Sequence, residues 1–193
     1  GEKDDYPRNR KVNLDKTYDY IIKPAVEKAD YECIKCNEIK GSGLIDKDMF
    51  QYLYDAELVI ADITTLNANA LYELGIRHGV KPFSTIIMAQ DTEKLPFDFN
   101  RNRIFRYNHM GPDIGCSEAD KKVNELYELI KNVKENPETD SPFYIFTGVT
   151  QLLELQKLQN TTSFITTTSN SKDIALLPLF GKWNDLNEKD KQA

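Results

Sequence analysis

Apolar residues recur along this chain with two distinct periods. Between Asp15 and about Lys28, Tyr18, Ile21, Ile22, Ala25 and Val26 return at the spacing of one helical face. Asp15 is the predicted N-cap of that helix, and Pro24 inside the pattern predicts a kink or break near Lys23. A short strand is predicted over 31–36, then a turn-like Lys40-Gly41-Ser42-Gly43, then a helix over about 47–55 capped by Asp46. Leu58-Val59-Ile60-Ala61 is a continuous apolar run, the pattern of a strand covered on both faces. It leads through polar Asp62-Ile63-Thr64-Thr65 to a helix over about 68–79. Phe83 to Ala89 predicts a further buried strand and Ile104 to Tyr107 a weaker one. Ser117 is predicted to cap a long helix to about Glu135, with Val123, Leu126, Tyr127, Ile130 and Val133 on one stripe. Residues 1–14 read as a polar loop.

Strands alternating with helices predict an α/β unit around a parallel sheet, whose ligands bind beyond the carboxyl ends of the strands. Chemistry is therefore expected in the loops 37–46, 62–68 and 90–103. After Pro142 the pattern changes. Phe143 to Gln159 carries a helical pattern, Asn160 to Ser171 reads as a Ser/Thr/Asn linker, and Ile174 to Trp183 is an apolar patch. A patch of that kind is expected to dock on its own domain or on a partner subunit. The predicted organisation is one α/β domain over 1–145 and a C-terminal arm over 146–193.

Composition narrows the partners. The 193 residues carry 25 Lys+Arg against 31 Asp+Glu, a net charge of −6, which argues against a broad nucleic-acid surface. No apolar stretch approaches the ~20 residues that span a bilayer, and no basic-plus-apolar leader is visible. The expectation is a soluble, cytoplasmic domain without a membrane partner. Cys33 and Cys36 match C-x-x-C, but side chains three apart on a strand point to opposite faces and no second ligand pair exists, so no metal is expected.

The helix over 68–79 carries the candidate chemistry. Leu71, Leu74, Gly75 and His78 share one face, Tyr72 and Ile76 add apolar surface opposite, and a helix apolar nearly all round is expected to be buried. Glu73 is its only acid, and burying a carboxylate is costly unless it is paired or used. Asn69 and Arg77 lie four residues either side. Two readings stand: a Glu73–Arg77 helix ion pair, or a catalytic Glu73 with Asn69 as its hydrogen-bonding neighbour. His78 is expected to be a hydrogen-bonded core histidine. Asp62, at the carboxyl end of its strand, is either a helix-capping residue or a catalytic group. Gly41-Ser42-Gly43 is either a simple turn or, through the N–H groups of Ser42 and Gly43, a phosphate cradle.

Three blocks in order, Tyr18 to Ala25, Glu38 to Ile45 and Ala56 to His78, resemble the nucleoside 2-deoxyribosyltransferase-like domains, relatives of bacterial TIR domains. The signature stands here as Ala61-Asp62-Ile63-Thr64, Asn67-Ala68-Asn69, Tyr72-Glu73-Leu74-Gly75 and His78, with Ala68 where the family has Pro. The resemblance covers roughly residues 1–145. It implies a flavodoxin-like three-layer sandwich and chemistry at an N-glycosidic bond, with Glu73 the catalytic residue and Tyr72 beside it among the substrate-binding groups. The family pattern opens with an apolar central strand that residues 1–14 do not supply. Either that strand is lost from this sequence or another segment replaces it.

Cleaving a ribosyl–base bond builds positive charge at the anomeric carbon, which a fixed carboxylate stabilises or attacks. The resemblance thus implies NAD hydrolysis by a TIR-like effector, with NAD as substrate rather than cofactor, plausibly in antiviral defence or signalling. The alternatives are deoxyribosyl transfer between bases through a covalent Glu73 ester, or a non-catalytic nucleotide-sensing scaffold. A nucleotide or nucleoside is the expected ligand and a homo-oligomer the expected assembly.

Overall fold

A computed structural model of the chain describes residues 1–5, 9–35, 45–91, 94–148 and 173–177. Ser42, Gly43, Cys36 and the linker over 160–171 lie outside the described residues, as do Leu179, Phe180 and Trp183 of the apolar patch.

The centre is a parallel sheet of five strands. In chain order they are β3 (Glu32–Lys35), β4 (Leu58–Asp62), β5 (Thr85–Gln90), β6 (Ile104–Tyr107) and β7 (Asp173–Leu177), and in space they run β3-β7-β4-β5-β6. All four pairings are parallel. Every residue of β4 and β5 is buried, the consequence of apolar surface covered on both faces. Alternation divides that surface. Leu58, Ile60, Ile86 and Met88 join a cluster with Tyr18, Ile21, Ile22 and Leu126, while Val59, Ala61, Ile87 and Ala89 pack with Leu53 and Leu74. Helices therefore cover the sheet from both sides.

One face is covered by a helical stretch of three parts, α1 (Leu14–Thr17), a π-helical turn (Tyr18–Ile22) and α2 (Lys23–Lys28), together with α5 (Cys116–Glu135). Pro24 does not break the helix. The π turn before it lets Lys23 N–H reach the Tyr18 carbonyl, and the extra residue absorbs the ring and the missing donor. Asn13, not Asp15, is the N-cap: its side chain accepts from Asp15 N–H at 3.1 Å, and Asp15 pairs with Lys35 at 3.2 Å. The long α5 likewise starts two residues earlier than its sequence suggests, with Gly115 at the N-cap and no side-chain cap from Ser117. The other face is covered by α3 (Ile45–Asp55) and α4 (Ala68–Val80). A short helix, α6 (Pro142–Thr147), packs on α4 and stops at Gly148, whose φ of 67° is the left-handed C-terminal conformation that glycine takes without steric cost.

Two corrections concern the chain's ends. Residues read as a polar loop form an antiparallel hairpin, β1 (Glu2–Asp5) with β2 (Arg10–Asn13). Val12 is its buried apolar residue, too little alternation to signal a strand from sequence. At the other end, residues 173–177, assigned from sequence to an appended arm, lie inside the sheet. Ala175 stands in register with Ile34 of β3 and Val59 of β4, so this segment occupies the position between those two strands.

Because β7 alone joins β3 to the rest of the sheet, Ala175→Pro removes an interior ladder donor and is expected to cost about 3 kcal/mol. Urea unfolding followed by circular dichroism measures this; an unchanged midpoint would place 173–177 outside the sheet.

Candidate functional site

Four strands end on a buried polar residue: Lys35 on β3, Asp62 on β4, Gln90 on β5 and Tyr107 on β6. In a parallel sheet this edge is where ligands bind, and buried polar groups there must be mutually satisfied or used. Lys35 places its ammonium 4.0 Å over the Tyr18 ring and 3.2 Å from Asp15. Tyr107 donates its hydroxyl to Asp62 Oδ2 at 2.7 Å, while Thr64 N–H donates to Asp62 Oδ1 at 3.0 Å. The Tyr107 oxygen in turn accepts from Thr64 Oγ1 at 2.8 Å and Thr17 Oγ1 at 3.3 Å. Gln90 N–H donates to Thr64 Oγ1 at 3.0 Å. Burial, then the Asp62 charge, pushes the Tyr107 hydroxyl well above its ordinary range, so it stays a donor. Asp62 thus acts as an anchor for the strand-to-helix loop, closing the Asp62–Thr64 turn.

That loop is strained. Thr65 (φ 67°) and Leu66 (φ 52°) both sit in the left-handed region, which costs a non-glycine residue on the order of 1 kcal/mol or more. The network on Thr64 and the Asn67 N-cap, whose side chain accepts from Asn69 N–H at 3.0 Å and Ala70 N–H at 3.2 Å, hold it in place.

The N-terminal hairpin is pinned over the same edge. Arg10 donates to Asp5 Oδ2 at 3.1 Å and to Gln90 Oε1 at 2.7 Å, and Gln90 Nε2 donates to Asp5 Oδ2 at 3.3 Å. His109 accepts from Gly111 N–H on Nδ1 at 3.0 Å, leaving Nε2–H to donate to the Asn13 carbonyl at 3.1 Å. Burial lowers the pKa of this imidazole.

Glu73 stands apart from this row. The buried stripe of α4 is Ala70, Glu73, Leu74, Arg77 and His78, with the i, i+3, i+4, i+7, i+8 spacing of one helical face. The expectation of burial all round is therefore corrected: Tyr72 is 63% exposed and Gly75 faces out. Asn69, half-buried, stands one turn before Glu73. Glu73 itself is 2% exposed, and its Oε2 has no hydrogen-bond partner among the described residues. Desolvation pushes its carboxyl up to about 8. The helix ion pair with Arg77 does not form among the described residues. Arg77 turns to backbone carbonyls instead, donating to Leu53 at 2.7 Å, Ala56 at 3.1 Å and Ser84 at 3.1 Å. His78 is buried as expected, but its Nε2 lacks a partner among the described residues, and desolvation followed by the Arg77 charge lowers it to about 4. It is neutral at physiological pH.

The structure therefore brings Asp62 together with Thr64, Tyr107 and Thr17 on the α5 side of the sheet. It places Glu73 on the helix covering the other side. Lys35, Gln90 and Tyr107 escaped the sequence reading; of the three, only Gln90 closes an apolar run, Ile86 to Ala89, that could have marked a strand's carboxyl end. Among the described residues no group of three or more His, Cys, Asp or Glu is placed to hold a metal ion, and no helix is long and apolar enough to cross a membrane. No protein family, curated protein or solved structure matches the chain.

Tyr107→Phe leaves Asp62 and Thr64 without their shared partner and is expected to cost about 1–3 kcal/mol in urea unfolding. Glu73 gives a pH signature. Its carboxyl is neutral in the folded chain up to about 8 but ionises near 4.5 when unfolded, so its contribution to stability is full below 4.5 and is lost as pH rises to 8. Relative to Glu73→Gln, the wild type should lose stability by at most about 1.4 kcal/mol per pH unit across that window and be flat above it. A pH-independent difference between the two proteins would mean that Glu73 ionises normally.

Proposed function

We propose that this chain cleaves the N-glycosidic bond of a nucleotide, with Glu73 as the catalytic carboxyl and NAD as the favoured substrate. The observation that carries the reading is a buried carboxyl, its Oε2 without a partner among the described residues, on the first long helix after β4. A structural acid would be paired; this one is held ready for a charge that arrives later. The resemblance of residues 56–78 to deoxyribosyltransferase-like and TIR-like domains supports the same assignment, and with it a flavodoxin-like layering of the sheet.

Charge decides among substrates. In the free protein the Glu73 proton stays on until pH about 8, and a neutral acid does not stabilise an oxocarbenium ion. A substrate that brings positive charge to the site favours the ionised form. The nicotinamide–ribose bond of NAD carries a pyridinium cation, whereas a purine deoxynucleoside is neutral, so hydrolysis of NAD suits a lone carboxyl better than deoxyribosyl transfer. As the C1′–N bond breaks, its electron pair neutralises the pyridinium nitrogen and the sugar takes up the positive charge facing Glu73. Water then adds to C1′ and releases a proton. Asn69 is the candidate to orient Glu73 or a ribose hydroxyl, and Asp62 the candidate for further ribose contacts. Tyr72, on the exposed face of α4, is the residue of this set that burial supports least. Assembly into a homo-oligomer and a cytoplasmic location belong to the same proposal.

One observation favours a second reading. A carboxyl only 2% exposed is reached by substrate only if α4 or its cover moves, so a nucleotide-binding scaffold that turns nothing over is the alternative. Chromatography of NAD and a panel of deoxynucleosides after incubation with the full chain separates these outcomes. Nicotinamide release is expected, reduced about 100-fold or more in Glu73→Gln, with kcat/KM rising with pH to a plateau near 8. A new nucleoside formed on adding a free base would establish transfer instead, and binding without turnover would establish the scaffold.

A further inference from the structure

A concave surface lies at the opposite edge of the sheet, where the strands begin. Residues just before or at the start of β3, β4 and β5 (Tyr31, Leu58 and Ser84) and the C-terminal part of α5 enclose a cleft of about 280 Å³. Its wall carries three cations, Arg77, Lys81 and Lys134. Among the described residues none of the three forms an ion pair. In a chain with six more acids than bases, unpaired cations gathered on one concave wall are not what composition alone would give.

The acids of the same wall are satisfied by neutral donors. Tyr31 donates its hydroxyl to Glu57 at 2.9 Å, and the Gln51 amide donates to Asp55. The ammonium groups rest on aromatic faces, Lys81 at 4.5 Å from the Tyr54 ring centre and Lys134 at 4.7 Å from that of Tyr31. Arg77 has five N–H groups. Four are donated, to Leu53, Ala56 and Ser84 carbonyls and to Thr85 Oγ1, and the fifth, on Nη2, has no acceptor among the described residues. Desolvation lowers Arg77 to about 10 against the opposing charge of Asp140, and Lys81 is lowered by its own burial and then by Arg77 against that of Asp55, so these two cations are held at a cost that a further anion would relieve. The remainder of the wall is apolar, with Ile130, Val133, Pro137 and a Phe83 ring that is 43% exposed.

We infer that this cleft binds a small phosphate monoester with a flat apolar body, the phosphate facing Arg77, Lys81 and Lys134 and the body lying against Phe83 and Tyr31. The three cations exceed the wall's two acids, Asp55 and Glu57, by one, their N–H donors suit the oxygens of a phosphate, and the aromatic and aliphatic surface beside them gives the body a place out of water. The site is distinct from Glu73. Arg77 stands one turn after Glu73 on the same buried stripe of α4, which makes that helix the physical connection between the two ends of the sheet.

Calorimetric titration of the full chain with phenyl phosphate tests this, with inorganic phosphate and phenol as the separated halves of the ligand. Phenyl phosphate is expected to bind more tightly than either half, to weaken as salt is raised, and to lose at least about 10-fold in affinity in the Lys81→Gln, Lys134→Gln double variant. Lys134 is exposed, Lys81 is half-buried and neither belongs to the apolar core, so the variant is expected to keep the wild-type circular dichroism spectrum. Absence of binding, an unchanged affinity in the double variant, or phenol binding as tightly as phenyl phosphate would overturn the site. Inorganic phosphate binding as tightly as phenyl phosphate would overturn the apolar half of the ligand.

Discussion

The sheet depends on one pairing that spans almost the whole chain. Among the described residues β3 pairs with no strand except β7, and β7 reaches it from residues 173–177, so the sheet hydrogen bonds that tie β3 to the rest come from late in the sequence. Interior strands have no water to satisfy their backbone groups, and a missing ladder partner leaves a row of them orphaned. A long-range parallel pairing of this kind is also slow to form, because chain-closure entropy is lost before the contact is gained. Stability of the α/β unit and integrity of the C-terminal segment are consequently the same quantity.

The two edges of the sheet handle polarity in opposite ways. At the carboxyl edge nearly every buried polar group finds a partner: Asp62, Thr64, Tyr107 and Thr17 close on one another, and Gln90 ties Asp5 and Arg10 to the sheet. Such a network rigidifies the strand ends and holds two consecutive left-handed residues after β4. The buried stripe of α4 departs from this economy. Glu73 and His78 each present an unpartnered atom among the described residues, and Arg77 faces carbonyls rather than carboxylates. Burying two ionisable groups that lack a partner for one atom each among the described residues sacrifices stability on α4.

Asp62 is held through Tyr107 on the α5 side of the sheet, and the helix that carries Glu73 covers the other side.

The sequence by itself determined the local elements. The apolar runs at 58–61 and 85–89, the four residues of β6 and the amphipathic stripe of α5 follow from periodicity and burial, because those signals are carried by neighbours a few residues apart. It also singled out Glu73, since an acid on an otherwise apolar helix is visible without coordinates. Tertiary structure decided what no local window contains. The hairpin over 2–13 is held by Gln90 and His109 from far along the chain, and the strand 173–177 is placed by β3 and β4. Arg77 illustrates the difference most directly: spacing pairs it with Glu73, but the carbonyls of Leu53, Ala56 and Ser84, distant in sequence, take its donors and leave the carboxyl alone.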